Sequence, residues 1–274
     1  MDIRQSSNWA KYLEKLGWKI IKFSNGQAYT KKLLFFGSII KIPRIEKVNF
    51  SQIDKLAKEN DAILIKLEPT THHSLLTTQF SADSWPLSPS KTLQLDLKNI
   101  EPKSDVKYEI RKAEKNKVVV KTSDDIESFI KLWHKNAKKR GFWVPFYKEI
   151  RSIFEAFDKD ASLLLAYKDN LPIAGALILF SGKTAHYMHA ASSEIGRKTS
   201  AQYLVVWSAL QLAKKRGAKI FDFEGIFDPR YRKQTKKWVG FTNFKKSFGG
   251  NAIEYPGSFS KFYGIGKILK PFLN

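Results

Sequence analysis

Alternating and helically spaced apolar positions along the chain predict a mixed α/β protein. Trp9, Tyr12, Leu13 and Leu16 share one helical face, with Asn8 placed to cap that helix and Gly17 to end it. Residues 18–23 read as a strand, Asn25-Gly26 as a tight turn and 27–36 as the hairpin partner. Gly37 precedes a strand over 38–42 that Pro43 ends; a helix over 50–59 and a strand over 62–68, closed by Pro69, follow. Residues 70–90 lack a period and carry Pro86 and Pro89, which predicts a surface loop before strict alternation returns at 92–97.

The second half is more regular. Ser104 or Asp105 caps a helix through Lys115, Asn116-Lys117 turns the chain, and 118–121 is a strand. Asp124 with Glu127 resembles a capping box, and Ile126, Phe129, Ile130, Trp133 and Ala137 continue at helical spacing until Gly141. A helix over 147–157 leads to three strands, 162–167, 173–180 and 184–191, joined by turns at Asp169-Asn170 and Ser181-Gly182. A long helix over 200–216 then passes through Gly217 into an apolar strand bearing Ile220, Phe221 and Phe223. The aromatic residues Trp133, Phe142, Trp143, Phe146 and Tyr147 gather around one helix end and read as core packing.

Charge changes this picture. The chain has 274 residues and a formal net charge of +22, with an ordinary apolar fraction, so it is a folded protein with affinity for polyanions. Cysteine is absent, which excludes disulfides, thiolate metal sites and a cysteine nucleophile and fits a reducing cytoplasm. Met1-Asp2-Ile3-Arg4 is no signal-peptide start, and no uncharged apolar run is long enough to span a bilayer, so a soluble, cytoplasmic chain is expected.

The candidate chemistry gathers in residues 219–250. Asp222, Glu224 and Asp228 sit at or just past the end of a buried strand, where a sheet opens. From Arg230 to Lys246 no acid occurs; Arg230, Arg232, Lys233, Lys236, Lys237, Lys245 and Lys246 alternate with Tyr231, Trp238, Phe241 and Phe244. Cations mixed with flat rings suit a phosphate-bearing partner with bases or sugars to stack on, although a solvated basic loop has the same composition. Other motifs fail on geometry. Ser181-Gly182-Lys183-Thr184 mimics the tail of a P-loop but lies between two strands, and Gly196-Arg197-Lys198-Thr199 lacks the upstream glycine. His186 and His189, three apart on a strand, are expected on opposite faces, which argues against joint metal ligation; no metal site is expected, nor a hydrolase triad.

Phe244-Lys245-Lys246-Ser247-Phe248-Gly249-Gly250 resembles the FKxxFG signature of the Fem-type (FemABX) peptidyl aminoacyltransferases. Asp222-Phe223-Glu224-Gly225-Ile226 is similar to that family's D-F-x-G-[IV] strand end, and Tyr255-Pro256-Gly257 to its closing Y-x-G. The likeness spans most of residues 98–259, and the element order there is similar to the GNAT acyltransferase core. It implies two GNAT-like units: an abbreviated first over 1–97, with 256–274 as its completing segment, and a second over 98–255. The chain departs from the family in three ways: Glu224 stands where a small residue is usual, Ile42-Pro43-Arg44-Ile45-Glu46 keeps part of an I-P-R-G-P stretch, and the helical-hairpin arm is absent.

The resemblance implies a donor of aminoacyl-tRNA, an acceptor of UDP-linked or lipid-linked muropeptide, and no cofactor. CoA is not expected, because residues 192–199 hold a single glycine where CoA enzymes of this fold have a Q/R-x-x-G-x-G/A loop. Lys245, with Phe244, is the implied stabiliser of the oxyanion, and Asp222 and Glu224 join it as catalytic candidates, Asp228 with them as a base. Acceptor phosphates are assigned to Arg197, Lys198, Lys32, Lys41 and Arg44 in a cleft between units, a stacking or hydrogen-bonding role to Tyr203, and the tRNA acceptor stem to Arg230, Arg232, Lys233, Lys236 and Lys237. A monomer is expected, with peripheral contact at the inner face of the membrane. Two alternatives stay open: a related transferase with another acceptor (a polysaccharide amine, a lipid headgroup or a protein amino terminus), and a non-catalytic basic fold that binds RNA or an anionic membrane through residues 262–272.

Overall fold

The computed structural model describes residues 1–139 and 147–268. Gly141, the aromatic cluster at 142–147 and the end of the 262–272 run fall outside the described residues or side chains. In chain order the first elements are α1 (Ser7–Lys15), β1 (Lys19–Phe23), β2 (Gly26–Lys32), β3 (Ser38–Ile45), α2 (Phe50–Glu59), β4 (Ala62–Pro69), α3 (Leu76–Gln79), β5 (Ser81–Asp83) and β6 (Lys91–Asp96). They are followed by α4 (Ser104–Lys115), β7 (Val119–Ser123), α5 (Ile126–Lys139), α6 (Tyr147–Phe157), β8 (Ala161–Lys168), β9 (Leu171–Ser181), β10 (Thr184–Ser192), α7 (Glu194–Lys198), α8 (Ala201–Lys215) and β11 (Ile220–Gly225). The chain closes through α9 (Arg232–Thr235), α10 (Val239–Ser247), β12 (Asn251–Glu254) and β13 (Ser258–Phe262).

Two compact units result. The first combines Met1–Thr92, Gly225–Val239 and the residues from Ile253 onward; the second combines Leu93–Glu224 with Gly240–Ala252. The sheet of the first unit runs β1-β2-β3-β4-β13-β5, so β13 is inserted between two strands from the start of the chain. Its core is built from Ile40, Ile42, Ile53, Leu56, Ile65, Leu67 and Phe80, closed by Phe259 from β13. In the other sheet the order is β12-β6-β11-β10-β9-β8-β7. Leu163 to Ala166 in β8 and Ile173 to Leu179 in β9 are buried without alternation, because α5 and α8 pack on the sheet.

Several boundaries differ from the sequence reading for local reasons. Ser6 rather than Asn8 caps α1, its hydroxyl accepting from the Trp9 N–H. Strand β3 does not stop at Pro43 but continues to Ile45, with a register shift after Ile42 and left-handed backbone at Arg44 that accommodate the proline. Residues 70–90 include α3 and β5, and the expected loop at 192–199 contains α7, capped by the Ser193 hydroxyl. Lys103 starts α4 without a side-chain cap, so neither Ser104 nor Asp105 fills that role.

Candidate active site

Strands β10 and β11 run parallel, yet they pair only from Thr184–His186 against Ile220–Asp222. Beyond that point β10 continues to Ser192 and β11 to Gly225, so His186 and Asp222 stand at the last rung of the ladder. A β-bulge between Tyr187 and His189 shifts the side-chain alternation of β10 at the same place. The expectation that His186 and His189 face opposite ways therefore fails: both lie within reach of Glu224. His186 Nδ1 is 2.8 Å from Glu224 Oε1. Burial pushes the His189 imidazole down to about 4, against the opposing pull of the Glu224 carboxylate.

Glu224 occupies left-handed backbone, with φ of 58°, a conformation a glutamate adopts at an energetic cost. Its N–H donates to Asp222 Oδ1 at 2.7 Å, and Gln94 Nε2 donates to Asp222 Oδ2 at 2.9 Å. Burial, reinforced by the neighbouring Glu224 charge, raises the Asp222 carboxyl above the ordinary range, while His186 and Gln94 pull it back.

Lys245 comes to this cluster from the last turn of α10. Its side chain is only 8% exposed, with Nζ 4.9 Å from the Phe241 ring centroid. Burial lowers its pKa from 10.5 to about 8, and Glu224 and Asp222 oppose the fall. Among the described residues, then, one buried cation faces two buried carboxylates and a histidine in the second unit. His186, Asp222 and Glu224 offer donor atoms within 4.8 Å of one another, the composition of a metal set. The hydrogen-bonded His186–Glu224 contact and the Lys245 cation already compensate these carboxylates, so we read the cluster as a proton-handling and charge-stabilising site.

The aromatic residues of the signature, Phe244 and Phe248, cluster with Tyr203 and with Phe223 of β11. Tyr203 stacks on Phe248 with centroids 5.7 Å apart and meets Phe244 edge-on at 4.8 Å. Gly249 and Gly250 both have positive φ and end α10; a Cβ at Gly250 would stand 2.5 Å from the Gln94 carbonyl oxygen, so the turn into β12 requires glycine there.

The remaining sequence candidates are differently placed. Arg197 and Lys198 belong to the second unit, where Arg197 donates to the Ser192 carbonyl at 2.7 Å and Lys198 pairs with Glu194 at 3.3 Å on the surface. Lys32, Lys41, Arg44 and the basic run from Arg230 to Lys237 belong to the first unit. Lys32 is exposed, and Lys41 lies 4.2 Å from the Trp18 ring centroid. Arg44 is not available to an acceptor phosphate as expected: it is buried, stacked 3.4 Å from the Tyr255 ring centroid, and hydrogen-bonded to the Pro89 carbonyl. Arg230 is likewise committed within the unit, to Asp228 at 2.7 Å and to the carbonyls of Tyr255 and Ser90.

Asp228 is fully buried and also accepts from Ser90 Oγ at 2.5 Å. Burial works to raise its carboxyl, but the bonds from Arg230 and Ser90 hold it below the ordinary range, so it is an anchor and not a base. Arg232, Lys233, Lys236 and Lys237 are exposed. Sequence reasoning missed His186 and Gln94 as members of the site. The only local signal for His186 was the unusual Glu224 in the D-F-x-G position.

Residues 148–264 match the model of the FemAB family. Over that stretch, which is less than half of the chain, the sequence resembles the FemAB family. The chain is 26% identical over 215 residues to the lipid II:glycine glycyltransferase of Staphylococcus haemolyticus (strain JCSC1435), covering 77% of the chain and 47% of that relative. It is 29% identical over 124 residues to the lipid II:glycine glycyltransferase of Staphylococcus saprophyticus, covering 43% and 29%. The chain thus spans about half the length, or less, of the curated relatives it matches.

Its fold is similar to the crystal structure of FemX, with a TM-score of 0.79 at 19% identity over 99% of the chain and 94% of that structure. It is also similar to the C-terminal domain of a lysylphosphatidylglycerol synthetase from Agrobacterium fabrum, at 0.69 and 11% identity over 98% and 92%. A tandem GNAT protein of the clavulanic acid pathway matches at 0.53 and 9% identity over 87% and 83%. Two GNAT-like units in a mixed α/β architecture are the shared fold.

Proposed function

We propose that this chain is an aminoacyltransferase that moves an amino acid from aminoacyl-tRNA to an amine of a lipid-linked peptidoglycan precursor. The observation that carries this reading is the buried Lys245 of the FKxxFG signature facing Asp222, Glu224 and His186, in a family whose relatives are named lipid II:glycine glycyltransferases. An amine attacks the ester carbonyl, so that a C–N bond forms and the C–O bond to the tRNA ribose breaks. One proton leaves the attacking nitrogen and one is gained by the departing ribose oxygen.

Lys245 stabilises the negative charge on the carbonyl oxygen in the tetrahedral state. A fixed donor in a dry site supplies about 3–4 kcal/mol of such stabilisation. Glu224 and Asp222 favour the charged ammonium although it is buried, and His186, hydrogen-bonded to Glu224, is the imidazole we assign to relay the transient proton. Phe244, Phe248 and Tyr203 cluster with Phe223, on the strand that carries Asp222 and Glu224. The exposed Arg232, Lys233, Lys236 and Lys237 supply a cationic surface for tRNA phosphates.

The test is transfer from a pool of radiolabelled aminoacyl-tRNAs to a panel of lipid-linked muropeptides, nucleotide-linked muropeptides and phosphatidylglycerol. Label on a lipid-linked muropeptide supports the reading. Label on phosphatidylglycerol alone moves the acceptor to a lipid headgroup, and tRNA binding without transfer to any acceptor refutes the enzymatic reading.

A further inference from the structure

The turn between β2 and β3 carries the run Leu33-Leu34-Phe35-Phe36 between Lys31-Lys32 and Gly37. Leu34 is 88% exposed, Phe35 99% and Phe36 56%. This is a formed turn: the Leu33 N–H donates to the Gly37 carbonyl and the Phe36 N–H to the Leu33 carbonyl, each at 2.8 Å. Leu34 adopts left-handed backbone, and a Cβ at Gly37, whose φ is 103°, would stand 2.4 Å from the Asp61 carbonyl oxygen. Leu33 packs down onto Ile63, Leu64 and Phe262. The base of the turn is therefore fixed, and the three following side chains project into solvent.

A second exposed apolar group shares that base. Phe262 ends β13, and the Tyr263 N–H donates to the Ile63 carbonyl at 3.0 Å. Gly266 lies against Ile63 as well: a Cβ there would stand 3.1 Å from the Ile63 Cβ, and one at Gly37 would stand 3.0 Å from Ile63 Cγ2. Ile265 and Ile268 on this segment are exposed, as is Lys267 between them. One end of the first unit thus presents five apolar side chains with Lys31, Lys32 and Lys267 beside them and Asp61 as the acid placed among them.

Consecutive exposed phenylalanines do nothing for the core and expose apolar area to water, which marks an interaction surface. Apolar tips ringed by lysines fit the interface of a bilayer, where rings and aliphatic chains enter the headgroup boundary and ammonium groups meet anionic lipid. The net charge of +22 has the matching sign. No helix among the described residues is long and apolar enough to cross a membrane, so attachment by these residues is peripheral.

We propose that the turn at Leu34, Phe35 and Phe36, with Ile265 and Ile268 beside it, is a membrane-docking surface that inserts into an anionic bilayer. This goes beyond the transfer reaction and does not depend on it.

The experiment is co-sedimentation of the full chain with vesicles of phosphatidylcholine and phosphatidylglycerol in equal parts, and of phosphatidylcholine alone. The wild type is compared with the triple variant Leu34→Ser, Phe35→Ser, Phe36→Ser. Wild type is expected to bind the anionic vesicles more tightly, and the triple variant to lose binding by roughly tenfold or more. Circular dichroism confirms an unchanged fold. In Phe35→Trp, the new indole is expected to shift to the blue on anionic vesicles and to be quenched by brominated acyl chains.

Equal binding by the triple variant, no binding by wild type, or an indole that stays in water overturns the proposal. So does a variant that loses self-association in light scattering while keeping its vesicle affinity, since that assigns the patch to a second copy. Transfer to a water-soluble acceptor is expected to be unchanged in the triple variant, which keeps this test separate from that of the reaction.

Discussion

Replacing Lys245 with methionine reads the electrostatics of the site through stability. Methionine keeps an unbranched side chain and removes the ammonium. In the folded chain burial brings the Lys245 pKa from 10.5 to about 8, although Glu224 and Asp222 resist. In the unfolded chain the same lysine titrates at its ordinary value. Between the two, the unfolded state holds a proton that the folded state has shed, so stability rises with pH across that window. At about 1.4 kcal/mol per tenfold change, the full rise is about 3 kcal/mol. Below pH 8 both states hold the proton and the term is level.

The difference in unfolding free energy, wild type minus Lys245→Met, is therefore expected to be flat to about pH 7.5 and to climb toward about 3 kcal/mol by pH 10. Tyr29 and Tyr187, raised far above the ordinary phenol range by burial, contribute the opposite slope near pH 10, but equally in both proteins. Urea unfolding followed by tryptophan fluorescence from pH 7 to 10 measures the difference. A difference that stays flat throughout would mean that Lys245 is neither desolvated nor held in this cluster, and the electrostatic argument would fail.

Other consequences follow from the same geometry. If the Lys245 ammonium is the working form, transfer has an alkaline limb near pH 8, and Glu224→Gln, which removes a supporting anion, moves that limb to lower pH; a limb that stays put contradicts the pairing. Asp228→Ala strips Arg230 and Ser90 of a buried acceptor and is expected to cost about 2–3 kcal/mol, read by thermal or urea unfolding, with no such loss for a surface change at Lys233. Gly250→Ala, at φ of 95° and against the Gln94 carbonyl, is expected to destabilise by about 2 kcal/mol or more. Gly240→Ala, in α10 with open space around it, is expected to be neutral or to stabilise by up to about 1 kcal/mol; equal effects in the two variants would refute the turn argument.

Local periodicity made most elements legible, because a period of two or of 3.6 is written in consecutive residues. Long-range pairing was not. Nothing in residues 258–262 announces that β13 lies between β4 and β5, since that neighbourhood is formed by residues about two hundred positions away. Proline was read as a stop at Pro43, whereas a register shift and left-handed Arg44 carry the strand past it.

In the site, Lys245, Asp222 and Glu224 were visible through the FKxxFG and D-F-x-G motifs, but His186 was not. Its partnership with Glu224 depends on a parallel rung between β10 and β11, and the bulge that brings His189 to the same side has no signature in the strand's own alternation. The burial of Arg44 and the internal commitment of Arg230 were equally invisible, since exposed and buried arginines read alike in sequence.

The most direct test of the central claim is a comparison of wild type and Lys245→Ala in steady-state aminoacyl transfer to a lipid-linked muropeptide, with tRNA affinity measured alongside. The account predicts a loss of kcat of about 100-fold or more with tRNA binding largely kept. Transfer by the variant at the wild-type rate, or a loss confined to tRNA affinity, would contradict it.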